Sequence, residues 1–117
     1  MSNFLKLENI GKIAVGGFGE KAIQGLLMSM LNDLTPEKAY SYITTDSQLL
    51  KRVNEVQWHK FSNMAHKANL KPITMDIVRN FLSEKRIDLL SIVVNTPNGE
   101  EWLSKQVDFV NTKLGLV

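Results

Sequence analysis

The fold class is decided by residues 47–86, which read SQLLKRVNEVQWHKFSNMAHKANLKPITMDIVRNFLSEKR. Residues 47–68 contain no glycine or proline and few β-branched residues, so they predict one long helix. A second helix is predicted to begin at Lys71 or Thr74 and to continue to about Lys85. Two consecutive helices without a strand between them break the β-α-β alternation of an α/β protein. The sequence therefore predicts an all-α fold, a compact bundle of about five or six helices with a basic helical hairpin at 47–86.

Helical signals also occur on both sides of this hairpin. Residues 20–34 repeat apolar side chains every three or four positions, which is typical of a helix in the core. The Thr-Pro-Glu sequence at 35–37 supplies a capping hydroxyl, a proline for the first turn and an acid for the positive end of the dipole. Asn98 is predicted to cap a last helix with Glu101 reaching back to it, and Gly115 is predicted to end that helix.

A small α/β three-layer fold is the alternative. Apolar runs near residues 12–15, 39–44 and 88–95 are each short enough to be buried strands, and periodicity alone does not separate a short strand from a helical turn. A helix over residues 47–68, however, would be about 33 Å long, about twice the span of five-residue strands. The length mismatch favours the all-α interpretation.

Length and composition are those of an ordinary globular protein. We predict that residues 1–117 form a single domain. Hydrophobic residues make up 44% and charged residues 22%, which excludes a disordered tail or a collagen-like repeat. No run of about 18 apolar residues predicts a membrane-spanning helix. The first residues show no secretory signal and the chain has no cysteine, so a cytoplasmic setting is expected.

Positive charge is concentrated in the hairpin. Residues 51–86 hold eight Lys and Arg and three Asp and Glu, a net charge of +5, whereas the rest of the chain carries −3. Both histidines, His59 and His66, also lie in this segment. Such a local excess permits an anionic partner. The competing interpretation is a solvated face on a slightly basic protein.

Residues 61–81 resemble the spacing of a helix-turn-helix motif. Ala65 is the small residue that would let the second helix pack closely across the first, and Asn69 tolerates the left-handed conformation that the turn requires. Ile73 and Ile77 occupy positions where a recognition helix would face the groove, and Asp76 would repel phosphate at the start of that helix. We therefore expect mainly backbone contacts, with weak sequence preference. Phosphate contacts are expected from the cations, and polar or base-edge contacts from the threonine and asparagine. The candidate nucleic-acid-binding residues are Lys60, Lys67, Lys71, Thr74, Arg79 and Asn80.

The sequence thus predicts a small nucleic-acid-binding helical protein that contacts mainly the backbone phosphates of DNA rather than RNA. The alternative is a helical protein–protein interaction or assembly subunit, in which the basic face meets an acidic protein surface. A homodimer is a further expectation, because a chain of this size often completes its burial by self-association.

Cofactor, metal and catalytic sites have weaker signals. Residues 17–22 fit the G-x-G-x-x-A fingerprint of dinucleotide-binding folds after the short apolar run 13–15. The nearest suitable acid, Asp46, lies well beyond the usual spacing of about 20 residues. His59 and His66 would be about 10.5 Å apart along a helix, too far to share a zinc ion at about 2.0–2.1 Å. No catalytic motif occurs, so we expect neither an enzyme nor a cofactor or metal.

Overall fold

A computed structural model describes residues 19–117, with side chains described from Leu26 onward. These residues form six helices and no strand, which confirms the all-α prediction. The helices are α1 (Gly19–Asp33), α2 (Pro36–Thr44), α3 (Glu55–Lys67), α4 (Met75–Lys85), α5 (Ile87–Asn95) and α6 (Gly99–Leu114).

The α/β alternative is wrong wherever the structure tests it. Residues 39–44 lie in α2, and residues 88–95 lie in α5. The run 12–15 and most of the glycine-rich fingerprint lie outside the described residues. Asp46 follows a helix rather than a strand, so it does not occupy the position that a ribose-binding acid requires. No helix among residues 19–117 is long and apolar enough to cross a membrane.

Helix α6 is the central element of the bundle. It packs against α1, α2, α3 and α5, and the other extensively packed pairs are α1–α3, α1–α4, α2–α5 and α4–α5. Trp58, Phe61 and Trp102 are almost fully buried in the shared core. The Trp58 ring meets Phe61 and Phe109 edge-on, with centroids 6.5 and 5.8 Å away, an arrangement that aromatic quadrupoles favour.

Three helices begin at side-chain caps. The Thr35, Asn54 and Thr74 side chains each accept a hydrogen bond from a backbone N–H three residues later. The predicted starts at Thr35 and Thr74 are confirmed. Helix α3, by contrast, begins at Glu55, eight residues later than predicted.

Residues 47–53 form turns instead of the predicted first turns of α3, because α6 engages their backbone. The Leu49 N–H donates to Gln106 Oε1 at 2.9 Å, and the Trp102 indole N–H donates to the Ser47 carbonyl at 2.9 Å. A helix that began at residue 47 would use the Ser47 carbonyl for its own ladder, whereas the Leu49 N–H would lie in the first turn, where an N–H has no partner within the helix. Helix α3 is consequently 13 residues long, about 20 Å rather than 33 Å.

The connection between α3 and α4 is also held by α6. Asn69 is left-handed, with φ 52°, as predicted. The buried Asn111 amide accepts from the Ile73 N–H and donates to the Ile73 carbonyl, both at 2.8 Å. Ala65 is fully buried, but the helices packed extensively on α3 are α1 and α6, not α4. The close helix pairing of the helix-turn-helix prediction is therefore wrong.

The turn between α5 and α6 differs from the predicted capping box. Asn98 is left-handed, with φ 65°, and its side chain makes no capping hydrogen bond. The reason is the close approach at Gly99, where an added Cβ would lie 2.0 Å from the Val93 carbonyl oxygen. At the other end of α6, Gly115 takes the predicted left-handed conformation, with φ 70°.

Candidate nucleic-acid interface

The exposed side of α3 carries two lysines of the predicted site. Lys60 and Lys67 are seven residues apart, so they share one face and are separated by about 10.5 Å along the axis. His59, Asn63 and His66 are exposed beside them. The opposite side of α3 is buried in the core, so every cation on this helix points away from the bundle.

Three further cations flank α3. Lys51 and Arg52 lie in the turn before the helix, and Lys71 lies in the connection after it; all three are exposed. None of these cations forms an ion pair with another described residue. We call this set the α3 basic face, which comprises Lys51, Arg52, Lys60, Lys67 and Lys71.

The acid on α3 itself does not neutralise this face. Glu55 accepts from the Lys113 ammonium of α6, which also lies 5.8 Å from the centre of the Phe109 ring. The Glu55 charge is thus balanced by a lysine from another helix. Glu55 is therefore not paired with any cation of the α3 basic face.

Arg79, by contrast, is engaged within the protein. Its guanidinium donates to the Glu100 carboxylate of α6 and lies 3.8 Å from Asp76 on its own helix. Both acids compete with any phosphate for this side chain, because a guanidinium already paired with carboxylates gains little from a second anion. The structure therefore removes Arg79 from the group of free cations.

The other two predicted polar contacts lie on α4 in unfavourable surroundings. The Thr74 hydroxyl accepts from the Ile77 N–H at 3.2 Å and serves as the helix cap. Asn80 is exposed, but it lies one helical turn from both Asp76 and Glu84. The exposed side of α4 thus presents acids to an approaching nucleic acid. Of the six predicted residues, Lys60 and Lys67 share one face of α3, and Lys71 is exposed in the connection that follows it. Thr74 caps α4, Arg79 is paired with acids, and Asn80 lies between acids on α4.

Arg86 has a structural role. Its guanidinium donates to the Leu34 carbonyl at 2.8 Å and to the Asn32 carbonyl, and both Asp88 oxygens accept from it at 3.0 Å. The hydrogen bond from Arg86 lowers the pKa of Asp88, and the same bond raises the pKa of Arg86. This cation joins the end of α1 to the start of α5 and is not available to a partner.

The described surface includes two clefts. One, of about 170 Å³, lies between the end of α2 and the start of α6, where Lys105 donates to Asp46 at 3.0 Å beside Glu101. That hydrogen bond raises the pKa of Lys105. The other, of about 360 Å³, is an open groove lined by Met28 and Phe81. Within residues 19–117, no three His, Asp or Glu side chains are placed to hold a metal ion.

Lys51 and Arg52 were not among the predicted site residues, because those residues were taken from the helix-turn-helix-like stretch 61–81 and the adjoining Lys60. A local signal for the later helix start exists. Asn54 is followed three residues later by Gln57, a pairing typical of a helix N-terminus, and Asn54 indeed accepts from the Gln57 N–H. No family model, curated protein or solved structure matches the chain.

Proposed function

We propose that the chain binds nucleic acid, DNA rather than RNA, through phosphate contacts made by the α3 basic face. The observation that carries the proposal is a set of five exposed cations, on α3 or within a few residues of its ends, that form no ion pair with another described residue. Exposed cations bind phosphate mainly by releasing the counterions that surround the nucleic acid. Double-stranded nucleic acid is a polyanion that several cations can contact at once.

Weak sequence preference is expected from the same geometry. The predicted base-reading residue, Asn80, lies among acids, and Arg79 is bound to Glu100. The remaining contacts come from the five cations of the α3 basic face, and phosphate contacts carry no base information. Five phosphate contacts give a slope of about −4.5 in a plot of log affinity against log salt, or about a 500-fold loss of affinity between 50 and 200 mM salt.

The test is fluorescence anisotropy with a labelled 20-base-pair duplex, titrated at 50 and 200 mM salt. The double variant K67Q/K71Q is expected to weaken binding and to make the slope shallower by about 2. Lys38, an exposed lysine on α2, provides the matched control, and K38Q is expected to leave both quantities unchanged. Glutamine is chosen because an acid in the last turn of α3 would also destabilise the helix.

The second candidate, binding of an acidic protein surface, is separated by the same assay. A labelled poly-glutamate peptide replaces the duplex at equal salt. Duplex binding that is absent at 50 mM salt, or that does not weaken as salt rises, overturns the proposal. Tighter binding to poly-glutamate than to the duplex would favour the protein-interaction alternative.

A further inference from the structure

The turn between α5 and α6 contains the single Asn-Gly pair of the chain, formed by Asn98 and Gly99. Asn98 is exposed, and its side chain makes no capping hydrogen bond to α6. An asparagine that precedes a glycine is especially prone to deamidation, because no Cβ hinders the attack of the glycine nitrogen on the asparagine side chain. The turn therefore combines an accessible carboxamide with an unhindered neighbouring nitrogen.

The fold requires both members of this reactive pair. Asn98 is left-handed, with φ 65°, a conformation that asparagine tolerates better than most residues other than glycine. Gly99 has no room for a side chain, since an added Cβ would lie 2.0 Å from the Val93 carbonyl oxygen. A bulkier residue at either position would strain the turn, so the reactive pair follows from the way in which α5 meets α6.

We propose that Asn98 is a deamidation site that the folded turn protects, and that its conversion to isoaspartate prevents the turn from closing again. In this reaction the Gly99 nitrogen bonds to the Asn98 Cγ, and the bond between Cγ and the amide nitrogen breaks. The amide leaves as ammonia, which takes up the proton that the Gly99 nitrogen has lost. Water then opens the cyclic imide at either of its carbonyls, giving aspartate or isoaspartate.

The folded turn opposes the attack through the peptide group between the two residues. The Asn98 carbonyl accepts from the Trp102 N–H at 2.8 Å, and the Gly99 N–H donates to the Thr96 carbonyl at 2.9 Å. The attack requires rotation about the Asn98 Cα–C bond until the nitrogen lies against the side chain, whereas the observed ψ of 11° directs the nitrogen away from Cβ. Both hydrogen bonds must break before this rotation, so deamidation takes place when the turn opens.

Isoaspartate at position 98 does not fit the closed turn. It routes the main chain through the former side chain, which adds one methylene, about 1.5 Å of backbone, directly before Gly99. Gly99 already lies against the Val93 carbonyl without room for a Cβ. Ordinary aspartate adds the same charge but leaves the length of the backbone unchanged, so a comparison of the two products separates the effect of length from that of charge.

The added carboxylate, common to both products, has opposing effects. Position 98 lines the same cleft as Asp46 and Glu101, which repel a further acid. The positive N-terminal end of α6, which begins at Gly99, attracts it. Neither this cleft nor the turn includes a residue of the α3 basic face, so the inference does not depend on the proposed function.

Peptide mapping by mass spectrometry tests the protection. The folded chain and a peptide of residues 94–103 are incubated at pH 8 and 37 °C, and the acid form at position 98 is followed over days. We expect conversion to be slower in the folded chain by a factor of about ten or more, because two hydrogen bonds must first break. The chain unfolded in guanidinium chloride is the control, and it is expected to convert at the rate of the peptide. Equal rates in the folded chain and the peptide, or no conversion in the peptide, overturn the proposal.

Refolding of the converted chain tests the consequence. The two products formed in guanidinium chloride are separated by chromatography while unfolded and are then returned to buffer. The isoaspartate form is expected to fail to refold, or to unfold at a lower urea concentration than the Asn98→Asp variant, which has the same charge and a backbone of normal length. Asn98→Asp is expected to unfold close to the unmodified chain. Equal urea midpoints for the isoaspartate form and Asn98→Asp would show that the longer backbone fits the turn, and this part of the proposal would be overturned.

Discussion

The buried amide of Asn111 is expected to be one of the most sensitive points of the fold. It pairs with both the N–H and the carbonyl of Ile73, and both residues are almost completely buried. Replacing it by alanine leaves these two backbone groups without partners in the core. The perturbation therefore tests whether α6 holds the connection between α3 and α4.

The expected cost follows from the two lost hydrogen bonds. An unpaired buried backbone group costs about 1–3 kcal/mol. The free energy of unfolding of the Asn111→Ala variant is therefore expected to fall by about 3 kcal/mol, once the neighbouring residues have relaxed. That is a large part of the 5–15 kcal/mol by which domains are ordinarily stable. For a domain of about 100 residues it corresponds to a fall in Tm of roughly 12–24 °C.

Urea unfolding measures this loss directly. Trp58 and Trp102 are both buried, so their fluorescence reports global unfolding. Asn63, exposed on α3, gives the matched control, and Asn63→Ala is expected to be neutral or slightly stabilising because alanine favours helix. If Asn111→Ala and Asn63→Ala unfold within about 0.5 kcal/mol of each other, the Asn111 hydrogen bonds do not stabilise the fold and the reasoning is refuted.

Three other changes have definite expected outcomes. Gly99→Ala would set a methyl group 2.0 Å from the Val93 carbonyl oxygen, so α5 and α6 must separate. We expect the free energy of unfolding to fall by about 3 kcal/mol, and an unchanged Tm would contradict this prediction. Gly115→Ala imposes a left-handed backbone on an L residue and is expected to cost about 1 kcal/mol in urea unfolding, whereas an unchanged midpoint would argue against this cap. The hydrogen bond from Arg86 lowers the pKa of Asp88 below its unfolded value of about 3.9. The stabilisation of the fold by this bond is therefore complete above that pH, and it is lost as the pH falls through the pKa that Asp88 has in the folded protein. In the Asp88→Asn variant the urea midpoint is therefore expected to change less between pH 5 and pH 2 than in the unmodified chain. Equal pH profiles for the two proteins would show that Asp88 does not contribute to the loss of stability in acid.

Local signals in the sequence were sufficient for the fold class and for several helix ends. Thr35, Thr74, Asn69 and Gly115 each act through groups within a few residues along the chain, and each takes its predicted conformation. Apolar periodicity likewise predicts the buried side of α1 and of α6. Such features follow from short-range geometry, which one sequence is enough to show.

The errors arise where distant residues compete with a local preference. Residues 47–53 have helical composition, but the Leu49 N–H is bound by Gln106, 57 residues later. Asn98 is a good cap in isolation, yet the contact between Gly99 and the Val93 carbonyl fixes a left-handed turn there. A single sequence does not show which distant group will capture a backbone N–H.

The candidate site is subject to the same limit. The excess of cations in residues 51–86 is visible in the sequence, but the free ones are not. Arg79 is bound by Glu100, 21 residues away, while Glu55 is bound by Lys113, 58 residues away. The first pair removes a predicted contact and the second preserves positive charge on α3. Charge counting therefore identifies the basic segment but does not show which of its charged side chains are paired within the protein.

Helix α6 positions both ends of the α3 basic face although it contributes none of its cations. Gln106 binds Leu49, two residues before Lys51, and Asn111 binds Ile73, two residues after Lys71. If phosphate binding depends on where the lysines lie and not only on their charge, a folded Asn111→Ala variant should bind the duplex more weakly at an unchanged net charge. Titration at low temperature, where the variant remains folded, checks this. Equal affinity would show that the basic face acts through its charge alone and needs no support from α6.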